Sequence, residues 1–167
     1  MEQHFILHWI HKHKKRLVMV TREILLIEDN EDDVLLTKRA LKKQNITNKL
    51  IVAKNGREGL DYLLGKNGEL KFLPALILLD LNLPIMGGID VLAALQQYGK
   101  PVHCPIIVLT TSDNEKDIAL SYQLGAHSYV QKPMDLTQFI KLIEYLGTYW
   151  LALNKPYPAA VAGVPDI

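Results

Sequence analysis

Ala75-Leu76-Ile77-Leu78-Leu79-Asp80 sets five apolar residues in a row and closes them with a carboxylate. An unbroken run of this length, with no polar residue at alternate positions, is what a strand buried on both faces requires. Other stretches share the pattern. Ile24-Leu25-Leu26-Ile27 runs into Glu28-Asp29, and Pro105-Ile106-Ile107-Val108-Leu109 runs into Thr110. Leu50-Ile51-Val52-Ala53 and the short Ser128-Tyr129-Val130-Gln131, which meets Lys132, bring the expected buried strands to five.

Helical patterns fill the gaps. Asn30 is placed to cap a helix that opens with Glu31-Asp32-Asp33, where carboxylates suit the positive end of the dipole. That helix carries Val34, Leu36, Ala40 and Leu41 and ends near Asn45. Leu60, Leu63 and Leu64 predict a second helix stopped by Gly65. Ile89, Leu92 and Leu95 predict a third, after a loop holding Pro84 and Gly87-Gly88. A fourth spans Glu115–Leu124 and stops at Gly125. Asp135 and Gln138 make a capping-box pattern before a fifth, with Leu136, Phe139, Ile140, Ile143 and Leu146 on one face. Strands alternating with helices predict an α/β fold, a doubly wound parallel sheet with right-handed crossovers and helices on both sides.

The chain has 167 residues, enough for one domain and a little more. With 49% apolar and 22% charged residues it is neither disordered throughout nor a disulfide scaffold, and Cys104, the only cysteine, fits a reducing, cytoplasmic compartment. A net charge of +1 argues against nucleic-acid binding through bulk charge. That neutrality hides an asymmetry. Residues 1–22 carry five basic residues against Glu2 alone, a net +4, whereas the remainder carries 14 basic and 17 acidic residues, a net −3.

The basic segment places Phe5-Ile6-Leu7 before Lys12–Arg16, the reverse of a secretory signal, and no stretch is long enough to span a membrane. His4, His8, His11 and His13 lack the framework that fixes a metal geometry. A membrane-lying basic helix with Phe5, Ile6, Trp9 and Ile10 on one side is the sharper reading, and a loosely attached extension is the favoured one. Met19 stands just before the ordered pattern as an alternative start. The expected division is a His-rich extension over 1–22, a domain over 23–147, and an aromatic extension with a frayed tail over 148–167.

Sites in open parallel sheets lie beyond the carboxyl ends of the strands. Those ends read Glu28-Asp29, Asp80, Thr110 and Lys132, so carboxylates, a hydroxyl and an ammonium converge at one edge. Carboxylates within a few ångströms repel by about 4 kcal/mol per pair at an effective dielectric of 20. Lys132 alone does not neutralise three of them, and a hard divalent cation such as Mg²⁺ is the natural complement, held by Asp29, Asp80 and a backbone carbonyl. The acidic loop Glu28–Asp33 repels a nucleotide or flavin phosphate, whereas phosphate cradles are glycine-rich.

Ile27-Glu28-Asp29-Asn30, Leu79-Asp80-Leu81-Asn82-Leu83-Pro84, Leu109-Thr110-Thr111-Ser112 and Tyr129-Val130-Gln131-Lys132-Pro133 together resemble the signature segments of bacterial response-regulator receiver domains, the CheY-like family. The resemblance covers Glu23–Gly147, in order and at the family's spacing. The Asp80–Pro84 and Leu109–Ser112 wording, with Tyr149-Trp150-Leu151, is most similar to the small regulators of cyanobacterial phytochromes. It implies strand order 2-1-3-4-5 and a switch driven by phosphoryl transfer from a sensor histidine kinase, which in that subgroup is a phytochrome. Asp80 would carry the acyl phosphate. Asp29, Asp80 and the Asn82 carbonyl would hold Mg²⁺, with Glu28 acting partly through metal-bound water. Lys132 would pair with a phosphoryl oxygen, its bond to Pro133 being cis. Thr110 would turn toward the phosphoryl group, and Tyr129 would follow from an outward to an inward rotamer, altering the surface made by the fourth helix, fifth strand and fifth helix. Asn82 and Ser112 take positions that tune phosphate lifetime, and neither is a strong base. One departure stands out: Gly87 replaces the acidic or polar residue that family members often carry before Gly88, which loosens the loop.

Two other classes compete. A haloacid-dehalogenase-type phosphatase needs an acid two residues after its nucleophile, and Asn82 stands there. A degenerate receiver acting as a phosphorylation-independent binding module typically loses the acidic pair, the phosphoacceptor or the lysine, and all are present. The protein is thus expected not to be an enzyme beyond its own phosphorylation and dephosphorylation. The 20 residues after Gly147 are too few for an effector domain, so output is expected through a surface. Ile118, Tyr122 and Tyr129 are its apolar candidates, for a partner or for a homodimer. Tyr149-Trp150-Leu151 either extends that face or caps the core.

Overall fold

The computed structural model describes residues 23–64, 73–98 and 104–155. Five strands, β1 (Ile24–Ile27), β2 (Leu50–Ala53), β3 (Leu76–Leu79), β4 (Ile106–Thr110) and β5 (Ser128–Gln131), form one parallel sheet in the order β2-β1-β3-β4-β5. Five helices alternate with them: α1 (Glu31–Lys43), α2 (Gly56–Leu63), α3 (Gly88–Gln97), α4 (Glu115–Gln123) and α5 (Leu136–Gly147). This is the expected doubly wound α/β fold.

The apolar runs divide by the alternation of the pleat. Leu25, Ile27, Ile77, Leu79 and Val108 face one core layer with Leu60, Leu63, Val91, Leu92 and Leu95 from α2 and α3. Ile24, Leu26, Leu76, Leu78, Ile107 and Leu109 face the other, with Ala40 and Leu41 from α1 and Phe139 and Ile143 from α5. Burial on both faces holds for β1, β3 and β4 only. β2 and β5 lie at the sheet edges, where one flank lacks a neighbouring strand, and they are only partly buried. Leu136, expected on the buried face of α5, sits in the first turn and remains exposed.

Side-chain caps start four of the helices: Asn30, Asn55, Asn114 and Asp135 each accept a backbone N–H of the first turn. Gly87 starts α3 with no side-chain cap, at an ordinary φ of −71°. Beyond α5 the chain widens into a π-helical segment, Thr148–Leu153. Trp150 and Leu151 pack there against the layer of α1 and α5, so these two residues cap the core, while Tyr149 stays exposed. The Lys132–Pro133 bond is trans, as is every peptide bond among the described residues, which corrects the expected cis isomer. Trans is the lower-energy form of an X–Pro bond. In it the Lys132 backbone N–H reaches the Thr110 carbonyl at 2.7 Å, while the side chain turns back over the sheet edge. The expected extension 1–22, the stop at Gly65 and the tail from Pro156 lie outside the described residues.

Candidate functional site

Register assembles the site. Ile27 pairs with Leu79 and Leu79 with Val108, so the residues that follow these strands leave the sheet at one edge. The Asp80 N–H donates to the Ile27 carbonyl at 3.1 Å and the Glu28 N–H to Ala53 at 2.9 Å, fixing both carboxylates just beyond the ladder. Carboxylate oxygens of Glu28, Asp29 and Asp80 all lie within 4.8 Å of one another. Asp29 is exposed, whereas Glu28 and Asp80 are 2% and 7% exposed.

Lys132 enters from the far side of the sheet. Its Nζ lies 2.5 Å from Glu28 Oε2, 2.9 Å from Asp80 Oδ2 and 2.9 Å from Asp33 Oδ2. Burial pulls its pKa down, but the Asp80 and Glu28 carboxylates more than reverse this and the net shift is upward, so the ammonium stays charged. Burial raises the pKa of Glu28 against the opposing pull of Lys132. The other Glu28 oxygen accepts the Asn30 N–H at 3.0 Å, tying the acidic loop to the cap of α1. A single ammonium therefore faces Glu28, Asp33 and Asp80, with Asp29 alongside. The uncompensated negative charge and the hard oxygen donors fit a divalent cation.

Asp33 was read from the sequence only as a first-turn residue of α1. Its place three residues after the capping Asn30 turns it back over the strand ends, and this helical offset is the signal that points to it.

Gly88 closes the loop after Asp80. A Cβ there would meet the Asp80 carbonyl oxygen at 2.3 Å, and the Gly88 N–H donates to Leu81 at 3.0 Å. The Asn82 N–H donates to Asp80 Oδ1 at 3.1 Å, and its amide reaches Thr110 Oγ1 at 3.4 Å. Thr110 is fully buried and also receives the Ser112 N–H at 3.4 Å. Tyr129 is half-buried, and its hydroxyl donates to the Ser112 carbonyl at 3.0 Å. Burial pushes its pKa up, and the charges of Asp117, Asp113 and Asp80 act the same way. Tyr122 is exposed on α4 and accepts the Tyr129 N–H at 3.2 Å, while Ile118 is partly buried.

A family model described as the response regulator receiver domain matches residues 24–144. The chain belongs to that family. Response regulator Rcp1 of Synechocystis sp. is 38% identical to this receiver over 130 residues, covering 77% of this chain and 88% of that protein. The probable methanogenesis regulatory protein FilR2 of Methanothrix harundinacea is 34% identical over 137 residues, covering 81% and 88%. Among solved structures, the phosphorylated cyanobacterial phytochrome response regulator RcpA matches with a TM-score of 0.72 and 33% identity, covering 83% of this chain and 100% of that one. The Mn²⁺-bound form of Rcp1 matches with a TM-score of 0.71 and 34% identity, covering 82% and 99%. This receiver is a phosphorylation-accepting two-component regulator, of a family that binds a divalent metal and takes phosphoryl groups from histidine kinases. Among the described residues no helix is long and apolar enough to cross a membrane.

Proposed function

We propose that Asp80 is the phosphoacceptor of this receiver, the observation carrying the reading being the meeting of Asp80, Glu28, Asp29 and Lys132 within one cluster at the sheet edge. An Asp80 carboxylate oxygen attacks the phosphorus of a kinase phosphohistidine; the P–O bond forms as the P–N bond breaks, and the imidazole keeps the electron pair. Glu28, Asp29, Asp80 and the Asn82 carbonyl would hold Mg²⁺, which would supply charge neutralisation to the moving phosphoryl group. Lys132 passes from the Asp80 carboxylate to a phosphoryl oxygen. The Thr110 hydroxyl, which among the described residues accepts only two bonds of 3.4 Å, is free to swing onto the same group. Tyr129 then reads the position of the loop after β4, and the surface around α4, β5 and α5, including Ile118 and Tyr122, carries the output.

The amide at Asn82 offers no acid for hydrolysing phosphate esters, which supports a switch and not an enzyme. The kinase partner by this reading is a phytochrome, on the strength of the RcpA and Rcp1 likeness, in a reducing cytoplasmic compartment, with a homodimer as the assembled state. Intact mass after acetyl phosphate with Mg²⁺ tests the centre of the proposal. Wild type gains one phosphoryl group and Asp80→Asn gains none; an equal gain in the variant overturns the assignment. The same samples on a sizing column report whether the dimer forms with the phosphoryl group.

A further inference from the structure

We propose that Gly56, the first residue of α2, is a positioning residue for the loop after β3, fixing the stretch whose Asn82 carbonyl serves a divalent cation. The proposal rests on reading that carbonyl as a metal ligand, and it adds what holds it in place. Most of the loop's backbone bonds lie within its own length. The Leu83 N–H donates to the Leu81 carbonyl at 3.1 Å, Met86 to Pro84 at 2.7 Å and Gly88 to Leu81 at 3.0 Å. Past Asp80, the loop backbone makes one bond to another element among the described residues: the Gly56 N–H donates to the Met86 carbonyl at 3.0 Å.

Steric contact backs that bond. A Cβ on Gly56 would meet the Met86 carbonyl oxygen at 2.5 Å and Val91 Cγ2 on α3 at 2.5 Å, so only a residue without a side chain seats α2 directly on the loop. At the loop's other end Gly88 lies as tightly over the Asp80 carbonyl. Asn82 falls between these two anchors. Side chains then hold the Gly56 end. Asn55, 6% exposed, accepts the Glu58 N–H at 2.9 Å and donates through Nδ2 to Glu58 Oε1 at 3.0 Å. Glu58 Oε2 accepts the Lys54 N–H at 2.8 Å, completing a reciprocal pairing of the capping-box kind. The Gly56 N–H belongs to the first helical turn and has no acceptor within its own helix, and Met86 supplies one. Asn55 and Glu58 fix the direction of that N–H, and the N–H fixes the loop.

The test compares the full chain as wild type, Gly56→Ala and Gly59→Ala, without phosphoryl donor. Gly59 lies three residues further along α2, and a Cβ there would meet only the Ile27 side chain, nearest at 2.4 Å, so this variant strains the same helix away from the loop. Amide hydrogen exchange over residues 81–88 in chelator is one readout, and Mn²⁺ affinity from the free-ion EPR signal is the other. Gly56→Ala should speed exchange roughly threefold to tenfold, as for loss of one hydrogen bond. It should also weaken Mn²⁺ binding about tenfold, the usual effect of disturbing a group that orients a metal ligand. Gly59→Ala should match wild type in both. Wild-type values in Gly56→Ala, or equal changes in Gly59→Ala, overturn the proposal. Asn55→Ala removes the cap without adding bulk and stands in if Gly56→Ala does not fold; both readouts should move the same way, and wild-type values there overturn the proposal too. A wild type that binds no Mn²⁺ sinks the metal reading, and hydrogen exchange alone then decides the role of Gly56.

Discussion

Ile85 sits at φ 66°, five residues beyond Asp80, with its side chain 85% exposed. A left-handed backbone brings Cβ against the following carbonyl and costs an L-residue about 1–2 kcal/mol, and a β-branched side chain tolerates it least. Exposure removes any packing gain that would offset the strain. Ile85→Asn should therefore raise unfolding stability by about 1 kcal/mol, since Asn adopts this conformation readily. Urea denaturation measures it, and an unchanged or lower midpoint counts against strain at this position. The sequence marked this loop by Pro84 and Gly87-Gly88, and the close approach at Gly88 accounts for one of those glycines. It did not mark Ile85, because nothing in its residue type announces a left-handed turn. Gly87 is the reverse case. The expected loosening has no counterpart in its dihedrals, which any residue adopts, and a Cβ there would meet its nearest neighbour at an ordinary 3.4 Å.

Elements explain why the strand ends were legible and the ties around α4 were not. Apolar runs ending in Asp, Thr or Lys announce themselves in one dimension, and parallel topology then delivers those ends to one edge. Ser112, Asp117 and Tyr129 meet through side-chain rotamers and the tilt of α4, which periodicity does not encode. The turn between α4 and β5 is similar. His127 reads as an isolated polar residue, yet its Nδ1 accepts the Ile106 N–H at 3.1 Å and its ring meets Trp150 edge-on at 6.4 Å. One imidazole thereby joins the start of β4 to the terminal π-helical segment. Burial lowers its pKa below the ordinary 6.5, so the folded protein favours the neutral ring, and a protonated Nδ1 would oppose a donor to a donor. The stabilisation is full above pH 6.5 and is lost as pH falls through 6.5 toward the lowered folded value. His127→Gln should flatten that part of the melting-temperature profile, and equal slopes in wild type and variant would remove His127 from the account.

At the scale of the whole molecule, the near-neutral total conceals a sheet edge that wild type holds together with one lysine. The carboxylates and their shortage of cations could be read from sequence, but the full extent of that shortage could not, because Asp33 joins the cluster only when α1 folds back over β1 and β3. Lys132 is 8% exposed and contacts carboxylates carried by β1, β3 and α1 through three ion pairs. Removing one member of a buried ion pair commonly costs about 3–5 kcal/mol, because the remaining charges are stranded. A ligand that binds only the folded state restores about 2.7 kcal/mol at 100 times its dissociation constant. Lys132→Ala should therefore melt well below wild type in chelator and recover more on Mg²⁺ addition than wild type gains, because the same carboxylates attract a divalent ion more strongly once the ammonium is gone. The comparison is four thermal melts, two proteins with and without Mg²⁺. An equal Mg²⁺ gain in both proteins would mean that lysine and metal do not share these carboxylates, and the site would then have to be divided between two separate charge clusters.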